Sequence, residues 1–224
     1  MRSGVLILPF ILSETAMGIA VGILIHRTGR YLELMWVGMS LMTIGFGLLI
    51  HLNATSPLSQ IVGFQIVGGL GSGLMFLPPL IAIQAHVSQE DTATATATLG
   101  FVRILGTSIS VVIGGVLFQN GMQLRAPSLR AAGLSADIVG QFSGSEAAAN
   151  VMKISMLDDY SQKLAVKEAF AWSLRNPWIL YTCMAFIGLV ATAFVGKREL
   201  SREHVETKTG IPKPNEDEAV LRQS

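Results

Sequence analysis

Glu14 lies near the middle of an apolar run covering roughly residues 4–25. An ionisable group at membrane depth is costly and faces a protein interior or water. Gly18 and Gly22 follow it at four-residue steps on the same helical face, and small residues on one stripe let a neighbouring backbone come close. Glu14 is therefore expected to point into a helix bundle. Two chemistries fit it. One is a carboxyl that recognises a cation or takes up and releases a proton, since a low dielectric disfavours the charged form of an acid. The other is a neutral, hydrogen-bonded acid with a packing role. Arg103 raises the same question, with Thr107, Ser110 and Gly114 after it at steps of four, three and four. Either this polar stripe is a cavity wall, with Arg103 holding a carbonyl, a helix end or an anionic substrate group, or Arg103 snorkels from a helix end to headgroups. A third cluster, Gly22, His26, Arg27, Gly29 and Arg30, forms a basic, glycine-punctuated turn between two apolar stretches.

The elements that must carry these residues follow from composition. Of 224 residues, 14% are charged and 50% hydrophobic, and the mean hydropathy is +0.53, whereas soluble domains average about 25% charged. The charge is segregated: Glu33 is the single formal charge between residues 32 and 85, while 199–224 is crowded with charge. A helix needs about 20 mostly apolar residues to cross a bilayer. Five stretches qualify, at about 4–25, 34–52, 60–85, 97–118 and 177–196. Extended alternation is absent, which argues against a transmembrane barrel. The predicted fold is all-α: a polytopic membrane bundle of about five helices over residues 1–198, with an outer loop at 119–176 and a disordered cytoplasmic tail at 199–224.

Within the connections, Ser88 and Asp91 have capping-box spacing and predict a helix start near Gln89. Residues 158–174 have helical periodicity and either lie on the membrane surface or extend the last span. Gln65, Gly69 and Gly73 recur at four-residue steps in the third span, as expected for close helix packing, and Pro78-Pro79 should kink it. Trp172, Trp178 and Tyr181 fit an interfacial aromatic belt. Orientation follows from the cations: Arg27 and Arg30 in the first turn and Lys197, Arg198 and Arg202 after the last span fall on one side, and positive-inside bias makes that side cytoplasmic. The loop 52–59 then faces outward, where Asn53-Ala54-Thr55 is a possible N-glycosylation acceptor.

Other functions find no support. There is no G-x-S-x-G or H-E-x-x-H motif, His26, His51, His86 and His204 are scattered, and Cys183 is the single cysteine. No catalytic residue, metal or cofactor is expected. The glycines of 68–73 lack the Lys-Ser/Thr of a phosphate loop, and a net charge of +1 gives no case for nucleic acid.

The turn resembles the G-x-x-x-D-R-x-G-R loop of the major facilitator superfamily, with His26 where that signature has Asp. The match continues through "VGMSLMTIGFGLL" (37–49), "GFQIVGGLGSGLMFLPPLIAIQAHV" (63–87) and "ATATATLGFVRILGTSISVVIGGVLFQNGM" (93–122). The last of these is similar to a helix of fungal drug:proton antiporters with fourteen spans. The resemblance implies a cytoplasmic gating hairpin at Gly22, His26, Arg27, Gly29 and Arg30, weakened because histidine cannot pair as a carboxylate does. It also implies a chain corresponding to the last five helices of such a carrier, without the N-terminal half. The implied partners are the lipid bilayer, a small organic substrate (a drug, toxin or secondary metabolite) and protons. The implied location is the plasma membrane or the vacuolar membrane. A non-transporting or accessory helix bundle is the alternative expectation.

Overall fold

The computed structural model describes residues 6–196. The predicted tail, the cations Lys197, Arg198 and Arg202, and the start of the first span lie outside these residues. The described chain is helical without strands. Helix α1 spans Leu8–Thr28, α2 Tyr31–Leu49, α3 Leu58–Leu74, α4 Pro78–Gln84, α5 Thr92–Ala131, α6 Ala136–Gln141, α7 Glu146–Ala149 and α8 Tyr160–Thr192, with a 3-10 turn at Val151–Met156. Among the described residues, five helical units are long and apolar enough to cross a membrane: α1, α2, α3 together with α4, α5 and α8. Apolar side chains point outward along them; Leu12, Ile104 and Val111 are 64, 69 and 68% exposed. Such outward faces suit lipid or a protein neighbour rather than water.

The packing order is not the chain order. α3 sits between α1 and α2, α2 packs on α8, α8 packs on α5, and α4 touches both α2 and α5. Glycines on two faces of α3 explain its central place. A Cβ added at Gly71 would lie 2.5 Å from the backbone nitrogen of Met42, and one at Gly45 would lie 2.6 Å from the Gly68 Cα. On the other face, a Cβ at Gly69 would meet the Phe10 carbonyl oxygen at 2.5 Å, and one at Gly73 would meet the Met17 Cβ at 2.9 Å. Backbones approach this closely only where side chains are missing.

Local chemistry sets the ends. Gly29 closes α1 in the left-handed region at φ +66°, its N–H donating to the Ile25 carbonyl at 2.7 Å, a cap that glycine adopts without steric cost. Replacing Gly29 with alanine should therefore destabilise the bundle by about 1 kcal/mol, read as a lower unfolding temperature in detergent. Between α3 and α4 the chain tightens into 3-10 bonds, Met75 N–H to Ser72 O and Phe76 N–H to Gly73 O. Pro78 and Pro79 open α4, where missing N–H groups are tolerated. The predicted kink is thus a break between two helices. α5 begins at Thr92 rather than near Gln89, because Ser88 and Asp91 form a turn ahead of it: the Ser88 hydroxyl donates to the Asp91 carboxylate at 2.7 Å and accepts the Asp91 N–H at 3.3 Å.

The segment read as an outer loop, 119–176, is mostly helix. At 1.5 Å per residue the 40 residues of α5 reach about 60 Å, twice the roughly 30 Å of a hydrocarbon core. α5 and α8 run past the apolar stretch together and, with α6, α7 and the 3-10 turn, enclose a second core around Met122, Leu129, Val139, Phe142, Ile154 and Val166. Residues 158–174 therefore continue directly into the last span. Beyond the bilayer a helix need only be apolar on one face, so hydropathy falls while the helix persists.

Candidate functional site

Three sequence-predicted features meet at the α3–α4 break. Glu14 is half-buried on α1, and the Ser72 hydroxyl donates to its Oε1 at 2.8 Å. One turn further along, Arg103 of α5 donates from Nη2 to the Phe76 carbonyl at 3.0 Å, with its guanidinium 4.8 Å from the Phe76 ring centroid. Next to that, Gly22 faces Leu77: a Cβ there would lie 3.3 Å from the Leu77 Cδ1. Residues 72–77 thus receive a carboxyl, a guanidinium and the end of α1. Phe76 lies between α3 and α4, outside either helical ladder, so its carbonyl is open to an outside donor.

Arg103 is exposed, so its charge-assisted bond to Phe76 is worth about 1 kcal/mol, toward the low end for such bonds. Arg103→Gln should lower the unfolding temperature of the purified bundle by a few degrees, and Arg103→Lys should recover part of the loss. Equal melting of all three proteins would show that the bond does not hold the break.

The hairpin lies at the same end of the bundle. Val21, Ile25, Tyr31 and Met35 pack with Leu74 and Ala82 into a buried cluster, and the Tyr31 hydroxyl donates to the Gly196 carbonyl at 3.3 Å, tying α2 to the chain after α8. His26 and Arg27 are exposed. Arg30 pairs locally with Glu33, Nη2 to Oε1 at 2.7 Å and Nε to Oε1 at 2.9 Å. That pair was legible as an i, i+3 spacing; Tyr31 had no signal beyond an aromatic ring following the signature.

Other predicted residues part company. The Thr107 hydroxyl turns back to the Arg103 carbonyl at 2.9 Å, while the Ser110 carbonyl accepts from Tyr181 of α8 at 3.1 Å and Gly114 faces the same phenol. The stripe from Arg103 to Gly114 is therefore divided between α3 and α8 rather than forming one wall. A Cβ at Gly69 or Gly73 would run into α1, whereas one at Gly18 would meet nothing within 4 Å among the described residues. Trp178 and Tyr181 pack with Phe46 of α2, at ring-centroid distances of 6.1 and 6.5 Å, which makes them interhelical contacts. Asn53 accepts a hydrogen bond on Oδ1 from Arg175. The Gln65 Oε1 is buried without a hydrogen-bond partner.

The glycine-seated bundle, the broken third span and the hairpin stand together in one geometry, and relatives match along it. The chain is 39% identical to the efflux pump dotC of Dothistroma septosporum over 209 residues, 93% of this chain and 35% of that protein. Over this length the chain is similar to proteins named as efflux pumps and major facilitator transporters, and its all-α bundle, with five membrane-length helices among the described residues, agrees with that likeness. An MFS-type transporter of Aspergillus terreus is 34% identical over 209 residues, 93% of this chain and 38% of the relative. The MFS-type transporter gkaD of Penicillium citrinum is 35% identical over 223 residues, 97% of this chain and 38% of the relative. The major facilitator resemblance thus covers nearly the whole chain, while the chain spans little more than a third of the length of these curated relatives, matching their C-terminal part. No protein-family model and no solved structure matches it.

Proposed function

We propose that this chain works as part of a major facilitator carrier of the fourteen-helix drug:proton branch, exporting small, amphipathic organic compounds in exchange for protons. The observation that carries the reading is Glu14, a half-buried mid-span carboxyl bonded to Ser72 beside the α3–α4 break. Ionisable groups at this depth face a protein interior or a solvent path, and the Ser72 partner of Glu14 lies in the last turn of α3, next to the break before α4. A relative named as an efflux pump supports the outward direction. The relatives are longer than the part matched here. A second helical half facing α1 and α5 would complete a two-sided site near the midplane, and the outward apolar faces of both helices suit such a neighbour. The plasma membrane, or the vacuolar membrane, is the proposed location, with the hairpin on the cytoplasmic side.

In this reading the hairpin gates, because it packs on the helix that breaks. Arg30→Ala removes the pair with Glu33 and should slow turnover more than it weakens substrate binding; equal effects on both would argue against gating. The carrier reading itself is tested with the full-length protein in vesicles. An imposed pH gradient should drive accumulation of a fluorescent amphipathic compound, and a protonophore should collapse it. Accumulation indifferent to the gradient would refute proton exchange.

A further inference from the structure

At the end of the bundle opposite the hairpin, a cleft of about 430 Å³ opens between the α2–α3 loop and the helices α5 and α8. Asn53 lines one wall, Arg125 of α5 another, and Glu168, Trp172 and Arg175 of α8 the third. The guanidinium of Arg125 lies over the Trp172 ring, 4.1 Å from its centroid, and Arg175 spends one Nη2 hydrogen on Asn53. The Nε of each arginine is buried and has no hydrogen-bond partner. Among the described residues the one ion pair is Arg30–Glu33, so Glu168 lines the cleft without pairing with either arginine. Two guanidiniums and one carboxylate line the cleft, and since each Nε is buried the donors open to a ligand are the remaining Nη groups. A guanidinium's Nη groups match the oxygens of a phosphate. The cleft's depth also matters. Arg125 lies seven residues, about 10 Å, past the apolar stretch that ends near residue 118, and Asn53 lies just beyond the end of α2. Measured from the end of that apolar stretch, this depth corresponds to headgroup level, where indole rings sit with one side apolar and the other wet.

We propose that this cleft binds a phosphate group held by Arg125 and Arg175, with Trp172 packing against the rest of the molecule. The phosphate belongs either to a phospholipid headgroup or to a soluble phosphate, and the site is independent of the transport reading. The test uses the full chain in detergent with Trp36→Phe and Trp178→Phe, which leaves Trp172 as the one tryptophan. Its emission is followed while dihexanoyl phosphatidylglycerol, inorganic phosphate or neutral dihexanoyl glycerol is added. A saturable change with the phospholipid but not with inorganic phosphate identifies a lipid site, and the same change with inorganic phosphate identifies a soluble-anion site. In either case Arg125→Gln with Arg175→Gln should weaken binding at least about tenfold, the scale expected for losing a charged contact. Native mass spectrometry of the unaltered chain reads the same occupancy should the double variant fail to fold. No saturable change with either phosphate, a change equal to that with the neutral glycerol, or undiminished affinity in the double variant overturns the site.

Discussion

Replacing Gly45 with leucine is expected to prevent α2 and α3 from meeting, leaving little folded protein in detergent. Even one methyl at Gly45 would stand 2.6 Å from both the Cα and the nitrogen of Gly68. The obstacle is backbone, so no rotamer change relieves it. Overpacking costs about 1–3 kcal/mol where side chains can give way, and here about 3 kcal/mol or more is expected because α3 would have to move. Gly71→Leu should act alike against Met42. Gly63 supplies the control on the same helix: nothing lies within 4 Å of a Cβ there, and Gly63→Ala should leave stability unchanged or raise it by up to about 1 kcal/mol, since alanine favours helix. The yield of monodisperse protein and its unfolding temperature measure both. Similar behaviour of Gly45→Leu and Gly63→Ala would show that the two helices do not pack on their glycines.

Much of this arrangement was legible in residue types. Five apolar runs named the spans, because lipid selects length and apolarity and little else. Gly69 and Gly73 were readable as a packing stripe, since four-residue spacing puts both on one face. The reading stopped where information lies between segments. Nothing in Glu14 or Ser72 alone says that the two meet, or that Arg103 reaches the Phe76 carbonyl; those bonds depend on α3 lying between α1 and α2. Gly18 continued the glycine stripe, and among the described residues a Cβ there would meet nothing within 4 Å. Residues 119–176 were the largest gap. Their helices mix polar residues with an apolar face, so a hydropathy window ends near residue 118 although α5 runs to Ala131. For the same reason Arg125, Trp172 and Arg175, which share one cleft, are far apart in sequence and carried no joint signal.

The proton-exchange role proposed for Glu14 is separable from its contact with Ser72 by one substitution. Glutamine keeps the size of Glu14 and an oxygen able to accept from Ser72, but it cannot exchange a proton. In the full-length carrier, Glu14→Gln should insert and melt as the parent protein does, should still bind the test compound, and should lose pH-gradient-driven transport to background. Substrate exchange across the membrane without a gradient should persist, because that step needs no net proton movement. Gradient-driven transport undiminished in Glu14→Gln would contradict the account and return Glu14 to a packing role.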